Sequence, residues 1–270
     1  MHQYSLAHLS MIAVAPTNLV GVARDAGYDY TGFRLTPSPS TGVDHGLLGD
    51  AGALRDLRRV IDDSGVGILD VEVIRMKDPS AVAAARPLLE AAEILGARFA
   101  IATVEDTDEA RRPETLAALA QLAAEHGVSI AVEFMLFSAA RTLGECVAVV
   151  QAAGQPNVTV LADVLHLTRS GGVPADLARY PQALFPYAQV CGAMGAGAAA
   201  DPDVARAEAV RSRLMPADGD LPVGAFCDAL PPTTILSVEA PLDGQALPDD
   251  PLALAITMLE SARRAAGDSA

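Results

Sequence analysis

The sequence predicts a single-domain α/β fold, a (β/α)8 TIM barrel over residues 1–270, on three observations. Short apolar runs alternate with longer amphipathic stretches about eight times, the pattern of successive parallel β/α units. The length of 270 residues is large for an average domain but suits eight such units. No segment between the units has the composition of a linker. An open doubly wound sheet is the competing topology. No GxGxxG-type loop follows the first strand, which counts against a dinucleotide-binding version of it.

The strands are expected at 5–11, 30–35, 67–76, 98–104, 129–134, 158–165, 187–192 and 234–240. Between them, apolar residues recur at helical spacing over 18–27, 53–66, 81–97, 114–128 and 142–154. Gly27, Gly65, Gly96, Gly127 and Gly154 stand where these helices should stop. The stretch 248–266 reads as a closing helix with Asp250 as its N-cap. GAMGAGAAADPD at 192–203 falls in the longest gap between strands and reads as a loop over the barrel mouth.

Hydrophobic residues make up 51% of the chain, enough for a large core and against disorder. The net charge of −15 disfavours nucleic acid and anionic membrane as partners. It leaves room for an anionic small molecule, because local arginines override the global field. Cys146, Cys191 and Cys227 are far apart and form no CxxC pair, so buried thiols are expected and not disulfides or a zinc cluster. The N-terminal MHQYSLAHLSMIAV lacks a basic region followed by a long apolar run, so no signal peptide is expected. No run approaches the roughly 20 apolar residues of a membrane span. A soluble cytoplasmic protein is the expectation.

Chemistry on such a barrel gathers at the C-terminal ends of the strands. The fifth strand ends in VEF with Glu133, and the sixth ends in ADVLH with Asp163 and His166. The seventh contains Gln189, and the eighth runs through TILSVEA into Glu239. Three carboxylates and an amide on adjacent apolar strands repel one another unless a cation lies among them. Oxygen donors favour Mn²⁺ or Mg²⁺, without excluding Co²⁺, Fe²⁺ or Zn²⁺. Asp70 and Glu72 alternate on the third strand and are expected to face the interior. His8, on the first strand, is a weaker candidate for the mouth.

These strand ends, in this order, resemble the sugar phosphate isomerase/epimerase family of xylose-isomerase-like barrels. GFRL (32–35), DVEVIR (70–75), HLTRSGG (166–172) and RLMPADGDLP (213–222) extend the likeness over nearly the whole chain. The resemblance implies that Glu133, Asp163, Gln189 and Glu239 are metal ligands. It gives His166 and Arg213 to a small-molecule substrate, and Arg34 and Arg75 at the second and third strand ends are candidates for the same mouth. Many members carry His where Gln189 stands; Gln occurs in a subset that includes some 3-dehydroshikimate dehydratases. Members are often dimers or tetramers, so a homo-oligomer is compatible. The chain departs from the family pattern at Pro216-Ala217-Asp218-Gly219, where Pro-Gly-x-Gly is commoner, and after Gln189, where an Asp is often found.

The constellation supports abstraction of a proton beside a carbonyl, with Glu133 and Glu239 as acid–base candidates. Return of the proton to the same carbon gives epimerisation, and to its neighbour gives aldose–ketose isomerisation. Expulsion of a β-hydroxyl gives a dehydratase. The expectation is an isomerase or epimerase of a sugar- or polyol-like hydroxy-carbonyl compound. A dehydratase of a cyclic keto acid and a non-catalytic binding barrel are the alternatives.

Overall fold

In the strands, successive side chains point alternately to the barrel axis and to the outer layer. Apolar residues at both positions let each strand be covered on both faces, as parallel strands require. The computed structural model describes residues 2–37, 42–242 and 247–268. Its eight strands are β1 (Tyr4–Leu6), β2 (Tyr30–Arg34), β3 (Gly67–Met76), β4 (Phe99–Val104), β5 (Ser129–Glu133), β6 (Val158–Asp163), β7 (Tyr187–Val190) and β8 (Ile235–Val238). They pair in parallel in chain order, and β8 closes on β1. A small apolar cluster that includes Leu69, Phe99, Ile101, Leu161 and Tyr187 fills the barrel. The larger core lies between the sheet and the helices.

The outer helices are α1 (Pro16–Ala26), α2 (Ala51–Ser64), α3 (Ala81–Ala84), α4 (Arg86–Leu95), α5 (Arg112–Glu125), α6 (Leu143–Ala153), α7 (Val164–Arg169), α8 (Pro202–Arg211), α9 (Val223–Asp228) and α10 (Pro251–Ala266). Gly27, Gly65, Gly96 and Gly154 close four of them in the left-handed conformation. Asp250 caps α10 by accepting from the Ala253 N–H, an interaction worth about 1 kcal/mol.

Four departures from the sequence reading have local causes. The expected strand at 5–11 keeps only residues 4–6 in the ladder, and residues 8–11 form a 3₁₀ turn. There Ser10 Oγ donates to the Val238 carbonyl and accepts from the Ala240 N–H, tying the chain across β8. The helix expected at 81–97 divides into α3 and α4, because Pro87 lacks an N–H and crowds the preceding turn. The sixth strand stops at Asp163, whose Oδ1 accepts the Leu165 and His166 N–H groups and starts α7. The long gap before β8 contains α8, which buries only Ala205 and Ala209, and the six-residue α9, neither of which the sequence reading anticipated.

Beyond β7 the chain folds back on itself. Gly192 bridges Leu214, and Ala193 bridges Gly219. A Cβ on Gly192 would lie 2.1 Å from the Asp218 carbonyl oxygen, and one on Gly219 would lie 2.3 Å from that of Ala193. In the Pro216–Gly219 turn the positive φ falls on Gly219, at 87°. Ala217 is tied down by its N–H, which donates to Ser261 Oγ at 2.9 Å. This clasp fixes the segment that carries Arg213. The three cysteines are buried and free. Among the described residues, no helix is long and apolar enough to cross a membrane.

Candidate active site

Strand register brings the expected residues to one end of the barrel. Asp163 pairs in register with Gln189, and Gln189 with Ser237, two residues before Glu239. Glu133 ends β5 opposite Thr103 of β4. Glu239 follows β8 directly and donates its N–H to the Val190 carbonyl. Four adjacent strand ends therefore present Glu133, Asp163, Gln189 and Glu239 to the same mouth.

Arg213 joins two of these groups. Its Nη1 lies 2.5 Å from Asp163 Oδ2, and its Nη2 lies 2.7 Å from Glu239 Oε2. Its Nε donates to the Ala209 carbonyl, which fixes the guanidinium plane. The side chain is only 2% exposed, so the charge is taken fully into the interior. Gln189 Nε2 donates to Glu239 Oε1 at 2.9 Å. The other amide atom, Gln189 Oε1, is buried without a hydrogen-bond partner, an arrangement that is costly unless another donor or a cation supplies it.

His166 lies on α7 with Nε2 3.6 Å from Glu133 Oε1. The edges of the His166 and Phe137 rings meet at a centroid distance of 5.6 Å. Burial lowers the His166 pKa to about 4, so the imidazole is neutral near pH 7. Arg34 Nη1 reaches Glu72 Oε2 at 3.0 Å. Arg75 instead points to the rim, where it pairs with Glu105 at 3.0 Å. His8 does not line the mouth: its Nε2 bonds the Val14 carbonyl, and its Nδ1 accepts the Arg34 N–H.

Below these groups lies a polar layer. Asp70 is buried with Oδ2 unpartnered, and the Tyr187, Ser5 and Ser237 hydroxyls are also buried without partners. Gly32 makes room for Asp70, because a Cβ there would lie 2.3 Å from Asp70 Oδ1. Burial, with Glu72 and Glu239 nearby, holds the Asp70 carboxyl well above its ordinary value. Burial and the neighbouring Glu239 and Asp163 do the same to Glu133. Burial pushes Glu239 up to about 8 against the pull of Arg213, and Glu72 also moves up through burial despite Arg34. Asp163 moves the other way: burial opposes its ionisation, but Arg213, His166 and the α7 N–H groups hold it below the usual range.

The mouth thus holds four buried carboxyl groups, Asp70, Glu72, Asp163 and Glu239, and the half-buried Glu133, against the guanidinium groups of Arg34 and Arg213. The excess of acid is relieved either by protonation or by a cation. Among the described residues, ligand atoms of Glu133, Asp163 and His166 lie within 4.8 Å of one another, close enough to share a metal ion. Gln189 Oε1 is a further oxygen available to such an ion. Carboxylate oxygens that already accept one hydrogen bond keep a second lone pair. The donor set therefore fits a divalent cation.

A cavity of about 610 Å³ opens above this layer, lined among others by Glu72, Glu133, His166, Arg213 and Glu239. Its wall also includes Lys77, Glu105, Phe137 and Arg206, which the sequence reading did not assign to the site. Lys77 was traceable as the residue just beyond the third strand. Arg206 was not, because it stands on the unanticipated α8.

A xylose isomerase-like TIM barrel/4-hydroxyphenylpyruvate dioxygenase fusion protein superposes with a TM-score of 0.80 at 22% identity, over 96% of this chain and 42% of that longer chain. The chain thus spans less than half the length of that relative. The IOLI protein with a binding zinc atom matches with a TM-score of 0.77 at 16% identity, over 98% of this chain and 97% of the other. D-psicose 3-epimerase with D-tagatose from Clostridium cellulolyticum H10 matches with a TM-score of 0.75 at 13% identity, over 98% of this chain and 99% of the other. At these identities the likeness is one of fold. No curated protein sequence matches the chain. The model of the xylose isomerase-like TIM barrel family matches residues 20–262, nearly the whole length, and the chain belongs to that family.

Proposed function

We propose that the chain is a divalent-metal-dependent isomerase or epimerase of a sugar- or polyol-like hydroxy-carbonyl compound. The observation that carries this reading is the excess of buried carboxyl groups around an unpaired amide oxygen at the barrel mouth. Glu133, Asp163, Gln189 and Glu239 would hold the cation, with Mn²⁺ or Mg²⁺ favoured by oxygen donors. When bound, it supplies a Lewis acid that polarises the substrate carbonyl and acidifies the neighbouring C–H. The zinc atom in one structural relative and the sugar in another are consistent with such a site.

The residues then divide the work. One of Glu133 and Glu239 takes the proton from carbon, and the C–H electron pair moves toward the carbonyl oxygen to give an enediolate. The other glutamate returns a proton, to the opposite face of that carbon or to its neighbour. Glu133 and Glu239 both line the cavity and, once ionised, either carboxylate can serve as the base. Neutral His166 offers a hydrogen bond to a substrate oxygen beside Glu133. Arg213 keeps Asp163 and Glu239 in place.

The test is turnover of a panel of keto sugars and hydroxy-keto acids in D₂O with Mn²⁺. Deuterium incorporation with epimerised or isomerised product, abolished in Glu239→Gln, supports the reading. Loss of water from a keto acid replaces it with a dehydratase. Ligand binding without turnover by the wild type makes the barrel a non-catalytic binder.

A further inference from the structure

Arg34 and Arg213, the two arginines nearest the carboxyl cluster, are already committed. Arg34 pairs with Glu72, and Arg213 with Asp163 and Glu239. Three other cations line the same cavity farther out: Arg75, Lys77 and Arg206. Arg75 and Lys77, at and just beyond the end of β3, share one carboxylate, Glu105, at 3.0 and 3.8 Å. Arg206 projects from α8, is exposed, and among the described residues enters no ion pair. Its guanidinium lies 4.8 Å from the centre of the Phe137 ring, and its Nη2 donates to the Phe137 carbonyl at 3.3 Å. Phe137 in turn meets His166, which stands 3.6 Å from Glu133.

A run of contacts thus leads from the acid–base cluster to a stacked guanidinium at the rim that, among the described residues, has no carboxylate partner. Arg206 on one part of the outer wall and Arg75 and Lys77 on another, the latter two sharing Glu105, line this cavity in a chain whose net charge is −15. Such a local reversal of sign draws in anions and holds them. A planar guanidinium already braced on an aromatic ring loses little freedom when it binds an oxyanion.

We infer that the site takes an anionic hydroxy-carbonyl compound, whose carboxylate or phosphate group is held at the rim by Arg206 with Arg75 and Lys77 while its carbonyl end lies toward Glu133 and Glu239. The inference rests on the isomerase/epimerase reading of the same site and narrows its substrate class. Arg206 is then a specificity-determining residue, and neutral sugars lack the group it recognises.

The experiment is calorimetric binding to the Mn²⁺-loaded protein of D-fructose, D-fructose 6-phosphate and 3-dehydroshikimate, with turnover of each followed in D₂O. The expected result is affinity at least ~10-fold higher for one anionic probe than for D-fructose. Which anionic probe wins separates phosphate from carboxylate. Arg206→Met, which keeps an apolar stem over Phe137, should reduce that preference about 10-fold. Equal affinities, a preference for D-fructose, no binding of any probe, or an undiminished preference in Arg206→Met overturns the inference. Turnover without anion preference removes this inference and leaves the proposed function standing. Anion preference that depends on Arg206, with no turnover of any substrate in the wider panel, does the reverse.

Discussion

Gln189 donates its amide N–H to Glu239 across neighbouring strands at 2.9 Å and leaves its own carbonyl oxygen buried and unpaired. This one side chain both orients a carboxylate and presents an oxygen. Gln189→Met removes both functions. Mn²⁺ affinity, measured by calorimetry, should fall at least ~10-fold, and Gln189→His should restore much of it by returning a ligand nitrogen. An unchanged affinity in Gln189→Met takes Gln189 out of the proposed cage.

Arg213 is the buried counter-charge of Asp163 and Glu239. Arg213→Met strands both carboxyl groups, and breaking a buried pair in this way costs about 3–5 kcal/mol. Urea unfolding of the metal-free protein should show a loss of that size. The loss should shrink when Mn²⁺ is added, because a dication compensates the same groups. A loss below ~1 kcal/mol without metal contradicts the assignment.

His8 is kept neutral chiefly by burial; its Nε2–H donates to the Val14 carbonyl and its Nδ1 accepts the Arg34 N–H. Burial lowers its pKa to about 4, from an ordinary value near 6.5. Between these values the unfolded chain binds the proton and the folded chain does not. Stability is therefore full above about pH 6.5 and is lost as pH falls toward 4, by about 3 kcal/mol at the low end. His166 acts in the same direction, so the difference between wild type and His8→Asn isolates His8. Identical stability slopes from pH 7 to 4.5 in the two proteins would falsify this account.

Gly219 sits at φ 87° with the Ala193 carbonyl oxygen 2.3 Å from where a Cβ would stand. Gly219→Ala combines left-handed strain of about 1 kcal/mol with a backbone collision. The clasp that holds Arg213 should open, lowering stability by at least ~2 kcal/mol and weakening Mn²⁺ binding in the same protein. Gly197→Ala, where added volume meets nothing within 4 Å, is the matched control and should leave both unchanged.

Much of this molecule is legible in its sequence. The eight strand positions follow from apolar runs of six to ten residues, because a parallel sheet covered on both faces leaves little choice of composition. Glu133, Asp163, Gln189 and Glu239 stood out because oxygen donors at the ends of such runs are out of place unless they meet. The short helices were not legible. α7 begins because the Asp163 carboxylate turns back on its own backbone, and α8 because Asp201 caps a run that buries only two alanines. Both depend on local polar contacts that leave little hydrophobic signature.

The sequence by itself determined the alternation of strand and helix, and with it the barrel and the strand ends that carry the acidic groups. Those properties depend on spacing and hydrophobicity, which are local. Only the tertiary structure decided which charges meet. It set Arg213 between Asp163 and Glu239, tied Arg34 to Glu72, and stacked Arg206 over Phe137 at the rim. Ion pairing between residues 26 to 50 apart in the chain depends on how the closed barrel and its long loops bring them together. No spacing along the sequence encodes that distance.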